Sequence, residues 1–318
     1  MQNERKKLEE LNLLDDFLFN AMMTYPEMGE KFTRKILKLL FNKEFRNLKV
    51  IAQKSYGGLN TDLRGARLDV YVESDDSAEI DASEDASIYD LEPDKNDKAK
   101  YIAAFPQRIR FYHAIIDSRS LKSGEDFGKL KRVYVIFICN YDPFGKGRCL
   151  YRFENVCVDD PSILLEDDAI KIIINPYGKD RDQFGNGFQA LMEFLKNGQI
   201  SDTYTESLKE EITEVKESEE WRRRYMKLFI RDRENIELGK EIGEKIGKEI
   251  GKEIGELSVG IRMLKRNEEI ANEEVAEILG CDTAVIQKMR DLIQAHPDWE
   301  AEQIASELVE AEFESIDC

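Results

Sequence analysis

Asp69 is the residue of this chain whose surroundings most plainly ask for a chemical explanation. It lies in ARLDVYVES (66–74), where alternation predicts a strand with Leu68, Val70 and Val72 on one face. Arg67, Asp69, Tyr71 and Glu73 then share the other face. A carboxylate among apolar neighbours is costly unless something pairs with it. Glu92 closes another short strand, IYDLE (88–92), and an adjacent strand can bring it beside Asp69. Two converging carboxylates on neighbouring strands make a hard-oxygen site suited to Mg²⁺ or Mn²⁺. Such a cation lowers the pKa of a bound water and neutralises charge developing on a phosphoryl group. The plainer alternative is an Asp69 that faces solvent or bridges to Arg67 or Arg108. His113 is a second candidate, as a general base. It follows Tyr112 directly and so points about 100° away from it on a helix, which fits a surface or partly buried histidine better.

The elements that must carry these residues follow from hydrophobic period. Residues 9–24 and 29–43 read as amphipathic helices separated near Pro26. LKVIAQ (48–53), 66–74 and 88–92 read as a β-meander, with an acidic, small-residue loop over 74–87. A helix is expected over 101–118, with Arg108 and Tyr112 one turn apart. KRVYVIFICN (131–140) suits a central strand buried on both faces. Further strands are expected at 149–158 and 170–175, and a helix at 185–197. Tyr141-Asp142-Pro143-Phe144-Gly145 reads as a tight turn. The fold class is α/β (α+β), in a domain ending near residue 200.

Beyond 200 the composition turns to helix formers and charge. Residues 239–256 repeat every four residues, with glycine at 239, 243, 247, 251 and 255 and isoleucine at 242, 246, 250 and 254. A four-residue period drifts by about 40° per repeat around a 3.6-residue helix. The segment is either a helix that pairs closely, making a homo-oligomer, or a semi-flexible linker within 201–260. The last unit, 261–318, has helix-turn-helix spacing. Ala276 falls where two helices cross, Gly280 in the turn, and Val275, Leu279, Ile286 and Met289 at core positions. Its second helix would offer Gln287 and Lys288 to DNA. A small packing or dimerisation bundle accounts for the same spacing.

Formal charge is -18 over 318 residues, which at first speaks against a nucleic-acid partner. The charge is unevenly spread: residues 201–318 carry 17 basic and 31 acidic side chains. Residues 1–200 carry 30 and 34, of which ten acids and one lysine fall in 74–97. The remaining body is mildly basic. No uninterrupted apolar stretch is long enough to span a membrane, and the opening MQNERKKLEE lacks a signal peptide's apolar core. Five cysteines without a CxxC pair, and two histidines, fit a reducing cytoplasm and exclude a Cys/His zinc motif. Walker A, dinucleotide-binding and Ser/His/Asp arrangements are absent.

The blocks RLDVYVE (67–73), YDLEPDK (89–95), RIRFYHAIIDSRSLKSGEDFGKL (108–130) and VYVIFICNYDPFGKG (133–147) occur in an order that resembles a known group. Together with LLDDFLFNAMM (13–23), they resemble the Rpn family of recombination-promoting, transposase-related nucleases of the PD-(D/E)xK superfamily. The likeness covers roughly residues 12–195 and implies a metal-dependent DNA endonuclease core with a variable helical tail. It assigns Asp69 and Glu92 to Mg²⁺ (or Mn²⁺), with Asp16 or Asp15 as a further acid on the first helix. Arg108 and Tyr112 would face DNA phosphates; packing of Tyr112 in the core and pairing of Arg108 with Asp69 or Glu92 is the alternative. The position where the superfamily places lysine, and many Rpn relatives glutamine, is Asp94 here. Lys95 is next, but alternation aims it away from Glu92 unless Pro93 introduces a bulge. Asp94 would then be a third oxygen ligand, or the protein would be a weak nuclease acting by binding and self-assembly.

Overall fold

Pro26, at the first turn of a helix where a missing N–H costs nothing, separates α1 (Asp16–Thr24) from α2 (Pro26–Phe41). The computed structural model describes residues 6–57, 64–74 and 86–316, so the acidic loop lies, over 75–85, outside the described residues. The chain continues through β1 (Leu48–Tyr56), β2 (Ala66–Ser74), β3 (Ser87–Asp94), α3 (Ala99–Asp117), β4 (Arg132–Cys139), β5 (Leu150–Phe153) and β6 (Ala169–Ile174). Helices α4 (Asn186–Asn197), α5 (Thr203–Glu217), α6 (Glu219–Arg266), α7 (Asn272–Leu279), α8 (Thr283–Ala295) and α9 (Ala301–Ile316) follow.

The strands form one mixed sheet in the order β1-β2-β3-β4-β6-β5. β1, β2 and β3 are the expected antiparallel meander, while β3–β4 and β4–β6 are parallel. The β3–β4 crossover is α3, which covers one face with Phe105, Ile109 and Ile116 against Val135 and Phe137. On the other face α1, α2, α4 and α5 pack on Val70, Val72, Leu91 and Ile136. Thus β4 is apolar on both sides, as its uninterrupted run requires. Mixed α/β architecture is plain.

Two compact units divide the chain at Lys227 and Leu228. The body therefore extends past 200. Leu208, Ile212, Val215, Trp221 and Tyr225 are buried in its core, and Lys216 Nζ donates to the carbonyls of Glu9 and Leu11 (2.8 and 2.6 Å). Charge-rich composition concealed the apolar stripe of α5, which recurs at helical spacing through Leu208, Ile212 and Val215. In the second unit, Ile261 and Leu264 of α6 pack with Val275, Ala276, Ile286, Met289 and Ile304. Gly280, with φ +63, terminates α7 as the turn spacing demanded. The repeat is helical throughout, inside the 48-residue α6. Among the described residues no helix is long and apolar enough to cross a membrane.

Candidate active site

Asp69 and Glu92 meet because β2 and β3 are antiparallel neighbours: Val70 lies opposite Leu91, and the same register sets Asp69 opposite Glu92. The Asp69 backbone N–H donates to Glu92 Oε1 (2.6 Å). On Asp69's other side the β1–β2 ladder is interrupted. It runs from Leu48 opposite Ser74 to Tyr56 opposite Ala66, yet the pair Gln53–Asp69 is missing from it. Gln53 has φ +57, a left-handed conformation in mid-strand that costs a non-glycine residue about 1–3 kcal/mol.

This break inverts the faces of β2. Val70 and Val72 belong to the α1/α2 layer, whereas Leu68 joins Tyr71 in the α3 layer. The expected shared face of Leu68, Val70 and Val72 is corrected accordingly, since alternation does not survive a residue that leaves the pleat. Asp69 sits at the inversion, half-buried. Its Oδ1 accepts from Gln53 Nε2 (3.0 Å), which also donates to Asn20 Oδ1 on α1. Burial raises the Asp69 carboxyl above its usual range, and hydrogen bonds from Asn20, Glu92 and Gln53 hold it back.

Beneath Glu92, on the same face of β3, lies Asp90. It is fully buried, and neither carboxyl oxygen has a well-placed hydrogen-bond partner. Burial, above all, pushes both carboxyls well upward; next, Asp90 raises Glu92, while proton sharing from Glu92 eases Asp90. Asp16 is exposed by area yet hemmed in on its inner side. Crowding by protein and then the Asp69 charge raise its carboxyl. Its neighbour Asp15 is turned elsewhere: Asp15 accepts from the Asn12 N–H (2.7 Å) and from Lys95 Nζ.

Asp94 and Lys95 have partners that take them out of direct contact with Asp69 and Glu92. Asp94 is buried, and its Oδ2 accepts from Arg108 Nη2 (2.6 Å) and Tyr141 Oη (2.8 Å). Its Oδ1 accepts from the Asn96 N–H and Nδ2 (3.1 and 3.2 Å). A carboxylate so fully bonded is not presented as a third metal ligand. β3 stays in register with β4 through Pro93 to Asp94, so no bulge re-aims Lys95, which reaches toward α1. Arg108 chose neither expected partner: it pairs with Asp94, its guanidinium stacked 4.7 Å above Phe137. Tyr112 packs against Phe137 (5.9 Å), and burial followed by the Glu92 charge raises its hydroxyl pKa.

Does this donor set fit a divalent cation? Among the described residues no three His, Cys, Asp or Glu side chains form a ready-made cage. Mg²⁺ commonly keeps several waters and needs only one or two protein carboxylates. Asp69 and Glu92, with Asp16 at the rim, fit that requirement. Asp90 beside them is a buried acid eased only by Glu92, and Lys95 and Arg108 are already paired. The chemistry of the site fits a hard cation held through water and two carboxylates.

His113 takes no part: it is buried on α3, with Nε2 3.1 Å from Ile170 O. In the second unit, Arg290 is spent on Asn272 Oδ1 (2.7 Å) and the Glu268 carbonyl (3.0 Å). Gln287 bonds to Asn272 and Asp291, leaving Lys288 as the exposed cation beside them on α8. Sequence reasoning missed Asn20, Gln53 and Asp90. Asn20 follows Asp16 by one helical turn and Asp90 precedes Glu92 by one strand period, so both were findable; the backbone of Gln53 was not. A cleft of about 940 Å³ lies elsewhere, beside Tyr177, Lys179 and α4, and none of the site acids lines it. No family model matches the chain, and no curated protein or solved structure matches it.

Proposed function

We propose that the first unit is a metal-dependent DNA endonuclease domain of PD-(D/E)xK type, similar to the Rpn family. The observation that carries the proposal is the cross-strand contact of Asp69 with Glu92 at a break in the sheet, bordered by Asp16 and Asp90. Asp69 and Glu92 would hold Mg²⁺ or Mn²⁺, with Asp16 taking a hydrating water. When bound, the cation supplies an activated water and charge neutralisation at the scissile phosphate. Glu92 orients Asp69 through its backbone N–H. Arg108 and Tyr112 stand one turn apart on α3, where a guanidinium and a phenol suit phosphate oxygens, although Arg108 would have to share its pairing with Asp94. A cytoplasmic setting, and a second copy of the chain on the repeat helix, belong to the same proposal.

A second reading has its own support: Asp94 is locked to Arg108, and Lys95 to Asp15. With neither free to orient water, the domain would bind DNA and cleave it weakly. Nicking of supercoiled plasmid in Mg²⁺ or Mn²⁺ separates the two. Wild type nicks, and Asp69→Ala loses roughly 100-fold or more, the scale of one essential catalytic contact. Absence of wild-type nicking, or equal nicking by the variant, removes the endonuclease reading.

A further inference from the structure

We propose that Gln53 is a positioning residue for Asp69, its side-chain amide bridging α1 to β2 so that the Asp69 carboxylate is held in one orientation toward the site. The metal-site reading enters only as the identity of what Asp69 receives. Gln53 sits in the middle of β1, yet its φ is +57, where glycine would be at ease and other residues are strained. That conformation removes the Gln53–Asp69 pair from the ladder and frees the glutamine to act as a bridge. One amide has two protons to give. Nε2 donates to Asp69 Oδ1 (3.0 Å) and to Asn20 Oδ1, an arrangement that occupies both. Asn20 lies one turn after Asp16 on α1, so the bridge also ties the helix bearing the rim acid to the strand bearing the central one. Asp69 Oδ1 is thereby held from the β1 side, with Asn20 and Glu92 also bonded to the carboxyl. Partners of this kind, which orient a ligand without touching the metal, typically change metal affinity by 10–100-fold.

A bulge that merely bends β1 would make the same backbone break, and substitution tells the two apart. Gln53→Ala removes the amide and keeps the strained backbone; Gln53→Gly removes the amide and the strain together. In the full chain, Mn²⁺ binding by titration calorimetry should weaken about tenfold in both variants. Their melting temperatures should separate, with the glycine variant above the alanine variant. Mn²⁺ affinity that is unchanged in both, or that tracks melting temperature, overturns the proposal.

Asp69→Asn serves as the control for the metal site itself. If wild type binds no Mn²⁺, or Asp69→Asn binds it equally, the metal reading fails, and the bridge is then judged without metal. With side-chain ¹⁵N-labelled glutamine, the Gln53 NH₂ pair should resonate away from free-amide positions and move in Asp69→Asn and in Asn20→Ala. A free-amide pair unmoved by either substitution overturns the bridge.

Discussion

At His113 one ring nitrogen faces the Ile170 carbonyl (3.1 Å) and the other is buried without a partner. That arrangement suits a neutral ring with its proton on Nε2, and a second proton would have to enter an apolar layer. Burial, then the nearby Lys171 charge, pulls its pKa from 6.5 down to about 4, against smaller raising effects of the Ile170 carbonyl and Asp167. Between pH 6.5 and 4 the unfolded chain takes up a proton that the fold refuses, so stability is complete above about 6.5 and falls as pH drops toward 4. The loss is at most about 3 kcal/mol. Urea unfolding across that range should show the slope in wild type and a flatter one in His113→Gln, whose amide can still reach the Ile170 carbonyl. Parallel slopes would mean that other groups set it. At the same scale Asp69 and Glu92 were legible, because a carboxylate in an apolar strand stands out. Gln53 was not, since no property of glutamine announces a left-handed backbone.

Elements were legible where period and punctuation agreed. The strand over 66–74 came out with those bounds, and α2, α3 and α4 lie within three residues of expectation. The first helix did not. Leu11 and Leu14 are buried as their spacing implied, but the helix starts at Asp16. The Asp15 carboxylate takes the Asn12 N–H, a local bond that competes with helix. Helix α6 shows a different tension. At Gly239, Gly243, Gly247, Gly251 and Gly255 an added Cβ would meet nothing within 4 Å, and each glycine costs about 1 kcal/mol relative to alanine. Gly243→Ala with Gly247→Ala should therefore raise the unfolding free energy of the C-terminal unit by about 2 kcal/mol, measured by circular dichroism in urea. A fall instead would mark another helix lying close against the glycine face.

For the whole molecule, the boundary at 227 matters more than the change of composition at 200. Cutting at 200 would remove Leu208, Ile212, Val215, Trp221 and Tyr225 from the core. At about 1.5–3 kcal/mol for each buried side chain, that rivals the entire 5–15 kcal/mol stability of an ordinary domain. A chain ending at 232 should melt cooperatively, and one ending at 200 should show no transition; a folded 1–200 fragment would refute the packing described. The shift in boundary also redistributes charge: residues 1–227 carry 36 basic and 42 acidic side chains, and 228–318 carry 11 and 23. What composition could not reveal was topology, because the α3 crossover that makes β3 and β4 parallel depends on packing on both faces of β4. β3 itself couples the sheet to pH. Burial raises the Asp90 and Glu92 carboxyls well above the ordinary carboxylate range, and the strand must dock between β2 and β4 to be covered. In the metal-free chain a carboxyl raised in this way contributes less stability as pH climbs above the ordinary carboxylate range. The central strand thereby links assembly of the sheet to the proton concentration.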